Sequence, residues 1–399
     1  MIRWLAGIAD RTAQSLERLG LMDTGFNPED LRLRAHRMEG AKHIPDAVYP
    51  DGLGVACTSL ERCSLSVVGR ASLHAQLVQG LRNGIRLERV FQANPDLVHQ
   101  TLNAPIIVTG LPRSGTTYLH RLLALHPDAR EIPTWEVRQP LPGRLDYRRL
   151  DARVRLWVLG RLAPELDRKH LMRADLGEEE LTLFDHTGWT PTVWRLAPAE
   201  DYLEWYLDQD PRPAYAQYRR WLQVLQAQTP HRRLVLKLPN HLAFLEALAE
   251  AVPEAHIIQC HRAPHTVVGS YASLAGTVHR VHLRHQDLPA LGRRSVQLWS
   301  THANRGLAGR RSMVPSRLTD VSYRDLRETP LDQVRMVHER AGVSFDPAFA
   351  RDLDHAIDHR PQHAHGKHTY DLGDYGLTRD TVERAFQPYL SWAQDKGWL

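Results

Sequence analysis

The chain has 399 residues, enough to bury a large core in one big domain or in two or three smaller ones. Hydrophobic residues make up 42% and charged residues 24%, a balance that is ordinary for globular proteins and excludes a disordered chain. The 51 lysines and arginines against 46 acidic residues leave a net charge of +5, with no basic stripe along the sequence. This mild excess suits a small polyanionic ligand and argues against a partner nucleic acid.

Cysteine content and hydropathy bear on the compartment. The three cysteines, Cys57, Cys63 and Cys260, are an odd number without C-x-x-C spacing, so we expect no disulfide framework. Asp10 and Glu17 interrupt the apolar residues of the first turns, unlike the uninterrupted core of a signal peptide. No window approaches 18 apolar residues, so no transmembrane segment is predicted, and the expected location is cytoplasmic.

The first hundred residues are predicted to form a helical N-terminal region. Leucines recur at three- and four-residue spacing in residues 12–20, 28–39 and 71–91. Asn27 and Ser72 are the predicted N-terminal caps of the second and third of these helices.

From residue 101 onward, short apolar runs alternate with helical patterns. The predicted strands are residues 105–109, 234–238, 256–260 and 317–323, and the helices that follow them are residues 116–125, 240–251, 265–276 and 331–342. This alternation predicts an α/β domain over residues 101–399 with a P-loop-like parallel sheet flanked by helices. Residues 140–230 are too long for a loop, and we interpret them as a helical insert that lines an acceptor site.

The segment Gly110–Thr117, GLPRSGTT, connects a predicted strand to a predicted helix. Its spacing matches the phosphate-binding pattern G-x-x-x-x-G-K-[ST], but Thr116 occupies the lysine position. A site without that lysine is poorly built to transfer a γ-phosphoryl group, whereas Arg113 can grip one phosphate with two hydrogen bonds. A glycine- and threonine-rich turn that binds nothing is the alternative. The candidate phosphate-binding residues are Arg113, Ser114, Gly115, Thr116 and Thr117.

The PRSGTT loop resembles the 5′-phosphosulfate loop of sulfotransferases that use 3′-phosphoadenosine 5′-phosphosulfate (PAPS), in the bacterial branch related to tyrosylprotein sulfotransferases. The resemblance extends over residues 109–376. It implies PAPS as the sulfuryl donor, 3′,5′-bisphosphoadenosine as the product, no required metal, and a small hydroxylated acceptor. A homodimer is left open.

Four more residues are assigned by the same resemblance. Arg262 follows a predicted strand, and Ser270 lies eight residues later, which is the family's spacing for binding the 3′-phosphate. Tyr323 begins a segment similar to the one that contacts the adenine. Lys367 lies in a segment similar to the C-terminal loop that closes over the 3′-phosphate.

Two residues compete as the general base that takes the acceptor proton. Lys237, at a predicted strand end, resembles the family's lysine that stabilises the leaving phosphate. Glu136 follows the loop helix, as the base does in tyrosylprotein-type enzymes, and Trp135 beside it favours a raised pKa. His241 lies four residues after Lys237, whereas the histidine base of cytosolic sulfotransferases lies two residues after it. Glu136 and His241 both remain candidates for the base.

Two other function classes fit these motifs less well. A P-loop kinase for small molecules lacks its lysine here, and a non-catalytic nucleotide-binding protein has no need of Arg113 and Lys237. The histidines of residues 279–285 and 355–368 have no zinc spacing, so no metal site is predicted. The aromatic residues of the insert are expected to form mainly its core, with some available to line an apolar acceptor pocket. They are Trp157, Phe184, Trp189, Trp194, Tyr202, Trp205 and Tyr206.

Overall fold

A computed structural model describes residues 25–41, 48–359 and 370–399. At its centre is a five-stranded, all-parallel sheet with the strand order β2-β3-β1-β4-β5. The strands are β1 (Ile106–Gly110), β2 (Ala129–Arg130), β3 (Arg233–Lys237), β4 (His256–His261) and β5 (Leu318–Ser322). Four of them lie where the apolar runs predict strands. The two-residue β2 was missed because it is too short to produce a pattern.

Helices surround this sheet on both faces. The α-helices of the described residues are α1 (Pro28–Glu39), α2 (Gly52–Glu61), α3 (Val67–Ala93), α4 (Thr116–Leu123), α5 (Thr134–Arg138), α6 (Arg148–Leu162), α7 (Leu166–Lys169), α8 (Pro191–Leu196), α9 (Glu200–Asp208), α10 (Arg212–Gln228), α11 (Leu245–Ala251), α12 (Pro264–His282), α13 (Leu288–Gly309), α14 (Tyr323–Glu328), α15 (Pro330–Arg340), α16 (Pro347–His359), α17 (Arg379–Ala385) and α18 (Gln387–Asp395). Short 3₁₀ helices occur at Pro95–His99, Glu180–Thr187, Pro239–Phe244, Arg310–Ser312, Pro315–Arg317 and Gly373–Tyr375.

Capping side chains fix where the N-terminal helices begin. The Asn27 side chain accepts hydrogen bonds from two backbone N–H groups of α1, as predicted. The cap of α3 is Ser66, whose Oγ accepts from Gly69 N at 3.0 Å, so the predicted cap Ser72 is wrong. Ser66 has an extended backbone at the chain entry, whereas Ser72 lies inside the helix. The predicted helix over residues 12–20 lies outside the described residues.

Alternating residues of the strands face two different apolar layers. Ile107, Leu236 and Ile257 pack with the N-terminal helices and the segment between β2 and β3. Their neighbours, such as Val108 and Ile258, pack on the opposite face with α4, α15 and α16. Burying one such side chain fully contributes about 1.5–3 kcal/mol. A sheet covered on both faces explains why its strands are continuous apolar runs.

The chain between β2 and β3 is helical, as predicted for the insert. Of its aromatic side chains, Phe184, Trp189, Trp194, Tyr202 and Tyr206 are buried, and the Trp189 and Tyr206 rings stack at 4.1 Å. Most of this aromatic cluster is therefore core. Trp205 is half-buried and Trp157 is exposed. Within the described residues, every helix falls short of the length and apolar character needed to cross a membrane.

The parallel arrangement brings four strand ends to one edge of the sheet. β1, β3, β4 and β5 end at Gly110, Lys237, His261 and Ser322. In sheets of this kind, ligands bind at the carboxyl ends of the strands. The residues at and just after these four ends therefore define the region where a site is expected.

Candidate active site

The loop between β1 and α4 needs unusual backbone conformations at three positions. Gly110 has φ +132°, and a Cβ there would lie 2.4 Å from the carbonyl oxygen of Cys260 on β4. Gly115 has φ +92°, and a Cβ there would lie 3.1 Å from the Tyr323 ring. Arg113 has φ +65°, which is uncommon for a residue other than glycine. Such a residue is typical of a functional loop, because the surrounding structure must hold it in place.

The open end of α4 follows this loop. Gly115 is the residue before the helix, and none of the described side chains caps the helix N-terminus. Ser114 turns its hydroxyl back to the Leu111 carbonyl oxygen at 2.5 Å and so closes the loop. Thr116 is buried and Thr117 is half-buried in the first turn. The first backbone N–H groups of α4 are therefore without a side-chain cap and suited to an anion.

Two arginines from different strand ends meet at this loop. Arg262 Nη1 donates a hydrogen bond to the Arg113 carbonyl oxygen at 2.7 Å, and its guanidinium lies 3.9 Å from the centre of the Tyr323 ring. Arg113 Nε donates to Ser270 Oγ at 3.0 Å, and its Nη1 donates to the Lys169 carbonyl oxygen at 2.8 Å. The structure thus brings together the four predicted residues Arg113, Arg262, Ser270 and Tyr323.

Neither arginine forms an ion pair with a carboxylate of the described residues, although Arg113 is largely removed from water. Burial, and then the positive charge of Arg262, lower the pKa of the Arg113 guanidinium. Burial also lowers the pKa of Arg262. Two neighbouring, partly buried cations that lack an ion pair are unfavourable unless an anion joins them. The pair therefore suits a phosphate-bearing ligand.

Lys169 and Tyr370 border the same region. Lys169 Nζ donates to Ser273 Oγ at 2.9 Å and to Thr277 Oγ1 at 2.7 Å, which fastens the end of α7 to α12. The Tyr370 hydroxyl donates to the Thr266 carbonyl oxygen at 2.9 Å, and its ring lies against Gly269. The predicted contact Lys367 lies outside the described residues.

A second cluster surrounds Lys237 at the end of β3. Lys237 Nζ donates to Glu179 Oε1 at 2.9 Å, and Arg195 Nη1 donates to Glu179 Oε2 at 2.9 Å. Burial by itself raises the pKa of Glu179, but the charges of Lys237 and Arg195 outweigh it and hold the pKa well below its ordinary value. The negative charge of Glu179 also acts on Arg113, so the two clusters are electrostatic neighbours.

His241 belongs to a buried network beside this cluster. Its Nε2 lies 3.2 Å from Glu180 Oε1, and its Nδ1 lies 2.7 Å from the Tyr215 hydroxyl. Tyr218 donates to the same Glu180 carboxylate at 3.2 Å. Since both ring nitrogens of His241 have partners inside the protein, neither is available to an acceptor without breaking a hydrogen bond. His241 as the base remains a prediction, and its contacts do not favour it.

Glu136 lies in a different environment from the one that its sequence neighbours indicate. Arg130 Nη2 donates to Glu136 Oε1 at 2.6 Å, and Arg130 also donates to Thr229 Oγ1 at 3.1 Å. The buried ion pair ties the edge strand β2 to α5, and the hydrogen bond to Thr229 ties β2 to the end of α10. The Glu136 carboxylate has no hydrogen bond to Lys237 or Arg113, so as a base it also remains a prediction.

Glu179 was missed in the sequence. Residues 178–180 are three consecutive glutamates, a pattern that usually indicates a solvated surface. In the structure their side chains are largely buried, and each has a cationic or polar partner. The available signal was the apolar sequence LTLF that follows directly, since a charged run beside a buried segment has to be paired.

Across residues 25–41, 48–359 and 370–399, no group of three or more His, Cys, Asp or Glu side chains is arranged to hold a metal ion. His279 and His282 are buried in α12, and burial lowers their pKa values. Several of the C-terminal histidines lie outside the described residues.

Comparison with known sequences identifies similar proteins. The model of the sulfotransferase family matches residues 105–347. The Stf3 proteins of Mycobacterium bovis and Mycobacterium tuberculosis, which are omega-hydroxy-beta-dihydromenaquinone-9 sulfotransferases, are each 27% identical to this chain over 130 residues. That match covers 32% of this chain and 34% of each relative, so the chain matches about a third of the length of these curated relatives.

Comparison with solved structures gives matches over nearly the whole chain. The sulfotransferase STF9 from Mycobacterium avium superposes with a TM-score of 0.81 at 24% identity, covering 93% of this chain and 97% of that one. The sulfotransferase STF1 from M. tuberculosis H37Rv has a TM-score of 0.75 at 27% identity, covering 90% of this chain and 98% of that one. The predicted α/β fold is confirmed.

Proposed function

The chain belongs to the sulfotransferase family, and from this membership we propose that it transfers a sulfuryl group from PAPS to a hydroxyl group of a small, partly apolar acceptor. The observation that carries the choice of donor is the arginine pair. Arg113 and Arg262 are held together without a carboxylate partner in the described residues. A donor with one phosphate at each end of its ribose supplies the missing negative charge.

Each part of the donor has a matching group. Arg262 and Ser270 suit the 3′-phosphate, while Arg113 and the open N-terminus of α4 suit the 5′-phosphosulfate. Within that helix end, the backbone N–H groups of Gly115, Thr116 and Thr117 are the donors. Tyr323, already packed on Arg262, is the proposed neighbour of the adenine. When bound, PAPS supplies the activated sulfuryl group and leaves as 3′,5′-bisphosphoadenosine.

Lys237 and Glu179 are the proposed pair for the transfer itself. The Lys237 ammonium stabilises negative charge that develops on the leaving phosphate. Glu179 takes the acceptor proton, a role that we assign to it rather than to Glu136 or His241 because it is bound to Lys237. An anion that draws Lys237 Nζ away from Glu179 raises the pKa of Glu179, since Lys237 is the largest charge that lowers it. Donor binding thereby makes Glu179 a better base.

The acceptor is proposed by analogy with the curated relatives. Those relatives are named for a hydroxylated menaquinone, which carries its hydroxyl group on a long apolar body. We propose an acceptor of the same chemical class for this chain. A kinase is not favoured, because the family transfers sulfuryl groups and Thr116 replaces the lysine that a kinase needs.

A transfer assay with sulfur-labelled PAPS tests the proposal. The acceptors are an ω-hydroxylated prenylquinone, 4-nitrophenol and a tyrosine peptide. A parallel reaction replaces PAPS with Mg²⁺ and ATP that is labelled in its γ-phosphate. We expect label on the prenylquinone and none from ATP. Label from ATP alone would overturn the donor assignment, and label on the peptide alone would overturn the acceptor class.

The base is tested with three single variants in the same assay. We expect Glu179→Gln to lower turnover by about 10²–10⁴-fold, the usual contribution of a general base. Glu136→Gln and His241→Asn are expected to act through stability, with turnover per folded molecule nearly unchanged. If Glu136→Gln alone removes turnover while the variant stays folded, Glu136 is the base and Glu179 is not.

A further inference from the structure

Exposed apolar side chains concentrate in one short segment of the molecule. Ten large hydrophobic side chains are exposed among the described residues, and six of them lie between residues 145 and 158. They are Leu145, Tyr147, Leu150, Val154, Trp157 and Val158. Apolar side chains scattered singly over a surface are ordinary, but a contiguous set marks an interaction site.

Four of the six form a stripe along one side of α6. Leu150, Val154, Trp157 and Val158 are spaced i, i+4, i+7 and i+8, which puts them on the same helix face. Ala152 is the only buried residue of α6, and it lies on the opposite face, toward the protein. The stripe therefore points away from the body of the molecule.

The flanks of the stripe are basic. Residues 144–161 contain six arginines and two aspartates. The Arg149 and Arg153 side chains are more than 60% exposed and share one partner, Asp175, at 3.4 Å and 2.9 Å. The Arg161 guanidinium lies 5.4 Å from the centre of the exposed Trp157 ring. An apolar stripe with a tryptophan and flanking arginines is the pattern of helices that lie in the surface of a bilayer.

We propose that α6 and the loop before it dock on the surface of an anionic lipid bilayer. The stripe enters the boundary between headgroups and acyl chains, and Arg149, Arg153 and Arg161 contact anionic headgroups. A second copy of the chain fits this surface less well. Two copies apposed through α6 would bring their arginine flanks together, and like charges across an interface are unfavourable.

The position of α6 links this surface to the transfer site. Seven residues after the end of α6, the carbonyl oxygen of Lys169 accepts the hydrogen bond from Arg113. Lys169 Nζ also fastens the segment to α12. A bilayer contacted by α6 would lie beside the chain segment that borders the phosphate loop, where an acceptor dissolved in lipid has a short path. The docking surface stands on its own observations, whatever the acceptor is.

Vesicle flotation tests the surface. The full chain is mixed with vesicles of phosphatidylcholine containing about one third phosphatidylglycerol, or with phosphatidylcholine alone. The stripe variant Leu150→Ser/Val154→Ser/Trp157→Ser is compared with the control Met38→Ser/Val98→Ser/Val314→Ser. The control removes three side chains that are exposed to a similar degree, 54%, 51% and 54%, elsewhere on the molecule.

We expect the wild type and the control to float with anionic vesicles. The stripe variant should bind about a thousandfold more weakly, since each of its three lost apolar contacts costs about tenfold. Arg149→Gln/Arg153→Gln should weaken binding to anionic vesicles by about fivefold or more and leave binding to neutral vesicles unchanged. Thermal unfolding confirms that each variant is folded.

Three results would overturn the proposal. One is a wild type that does not bind anionic vesicles. Another is a stripe variant that floats as well as the control. The third is a wild-type dimer in light scattering that the stripe substitutions convert to monomer without any effect on lipid, because the stripe would then be a contact between copies. Because the arginine variant keeps the whole apolar stripe, it tests the charge contribution even if the serine variant unfolds.

Discussion

Two clusters at the same edge of the sheet differ in whether their cations are paired with a carboxylate. Around the phosphate loop, Arg113 and Arg262 are neighbouring cations without a carboxylate among the described residues. Around the end of β3, Lys237 and Arg195 share the carboxylate of Glu179, each at 2.9 Å. The first cluster has no ion pair among the described residues, whereas in the second a carboxylate pairs with both cations.

This difference suits two different tasks, which are binding an anionic ligand and holding reacting groups in place before the reaction. A site that leaves cations unpaired gives up stability so that an anionic ligand can provide the missing charge. A site that pairs its ions in advance fixes the positions of groups that must act on a reacting atom. The arginine cluster is therefore the expected source of donor affinity, and the Lys237–Glu179 cluster the expected source of rate.

The largest expected contrast is in stability without ligand. Glu179→Gln removes the carboxylate that pairs with the buried Lys237 and the half-buried Arg195, and we expect the free energy of unfolding to fall by about 3–5 kcal/mol. Arg113→Met removes a partly buried cation that has no ion pair among the described residues, so it should leave that free energy unchanged within about 1 kcal/mol or raise it. Urea unfolding of both variants measures the contrast. Equal losses would remove the distinction between the two clusters.

Turnover should depend strongly on Lys237. We expect Lys237→Met to lower kcat by about 10²–10³-fold, because one preorganised positive charge is lost from the transition state. Lys396→Met, a substitution of an exposed lysine at the end of α18, is the control. Kinetics under saturating PAPS, corrected for the folded fraction, make the measurement. An unchanged kcat with a raised KM for PAPS would show that Lys237 contributes to PAPS binding and not to the rate of transfer.

Donor affinity should depend on Arg262. Arg262→Ala is expected to weaken binding of 3′,5′-bisphosphoadenosine by about 10- to 150-fold, the range for hydrogen bonds to charged groups. Arg324→Ala removes a nearby arginine whose side chain is 61% exposed and paired with Asp325, and it should have little effect. Competition binding measures both. Equal losses in the two variants would point to general attraction rather than a defined phosphate site.

The smallest effect concerns pH and the buried carboxyl group of Asp185, which forms no ion pair within the part of the chain that the structure describes. Burial raises the pKa of Asp185 to about 7, against weaker lowering by hydrogen bonds from Thr190 and Thr192. In the folded protein Asp185 holds a proton that the unfolded chain releases near pH 4. The stability that this group contributes therefore falls as pH rises from about 4 to 7.

The pKa of Glu178 is shifted in the opposite direction. Its pKa is lowered to about 2, mainly by His170 acting against burial, so its contribution falls as pH drops from 4.5 toward 2.

The variant Asp185→Asn isolates the pH dependence that Asp185 contributes, because Glu178 is unchanged in it. The variant keeps a hydrogen-bond acceptor for Thr190 and Thr192 but has no proton to lose, so we expect its stability relative to wild type to rise by about 1 kcal/mol between pH 6 and 7. Thermal unfolding across pH 4 to 8 measures the difference. A difference that does not change with pH would show that Asp185 is already ionised in the folded protein.

The sequence predicted the sheet and the loop better than it predicted the base. Strand runs and the G-x-x-x-x-G spacing are local patterns, so β1, β3, β4, β5 and the loop were found at nearly the right positions. Arg262 and Tyr323 follow strands, and a parallel sheet brings such residues together. Glu179 lies in the insert, far from Lys237 along the chain, and no local pattern reports a contact of that kind. For Glu136 the position after the loop helix indicated a base, whereas its partner Arg130 depends on the pairing of an edge strand that has only two residues.

Calorimetric titration of the ligand-free protein with 3′,5′-bisphosphoadenosine, beside ATP with Mg²⁺, tests the central claim most directly. We predict metal-independent bisphosphate binding that is weakened by Arg262→Ala and retained in Glu179→Gln, because the arginine cluster binds the donor and the glutamate does not. Binding of ATP with Mg²⁺ and no heat from the bisphosphate, or bisphosphate binding that is indifferent to Arg262, would contradict the account.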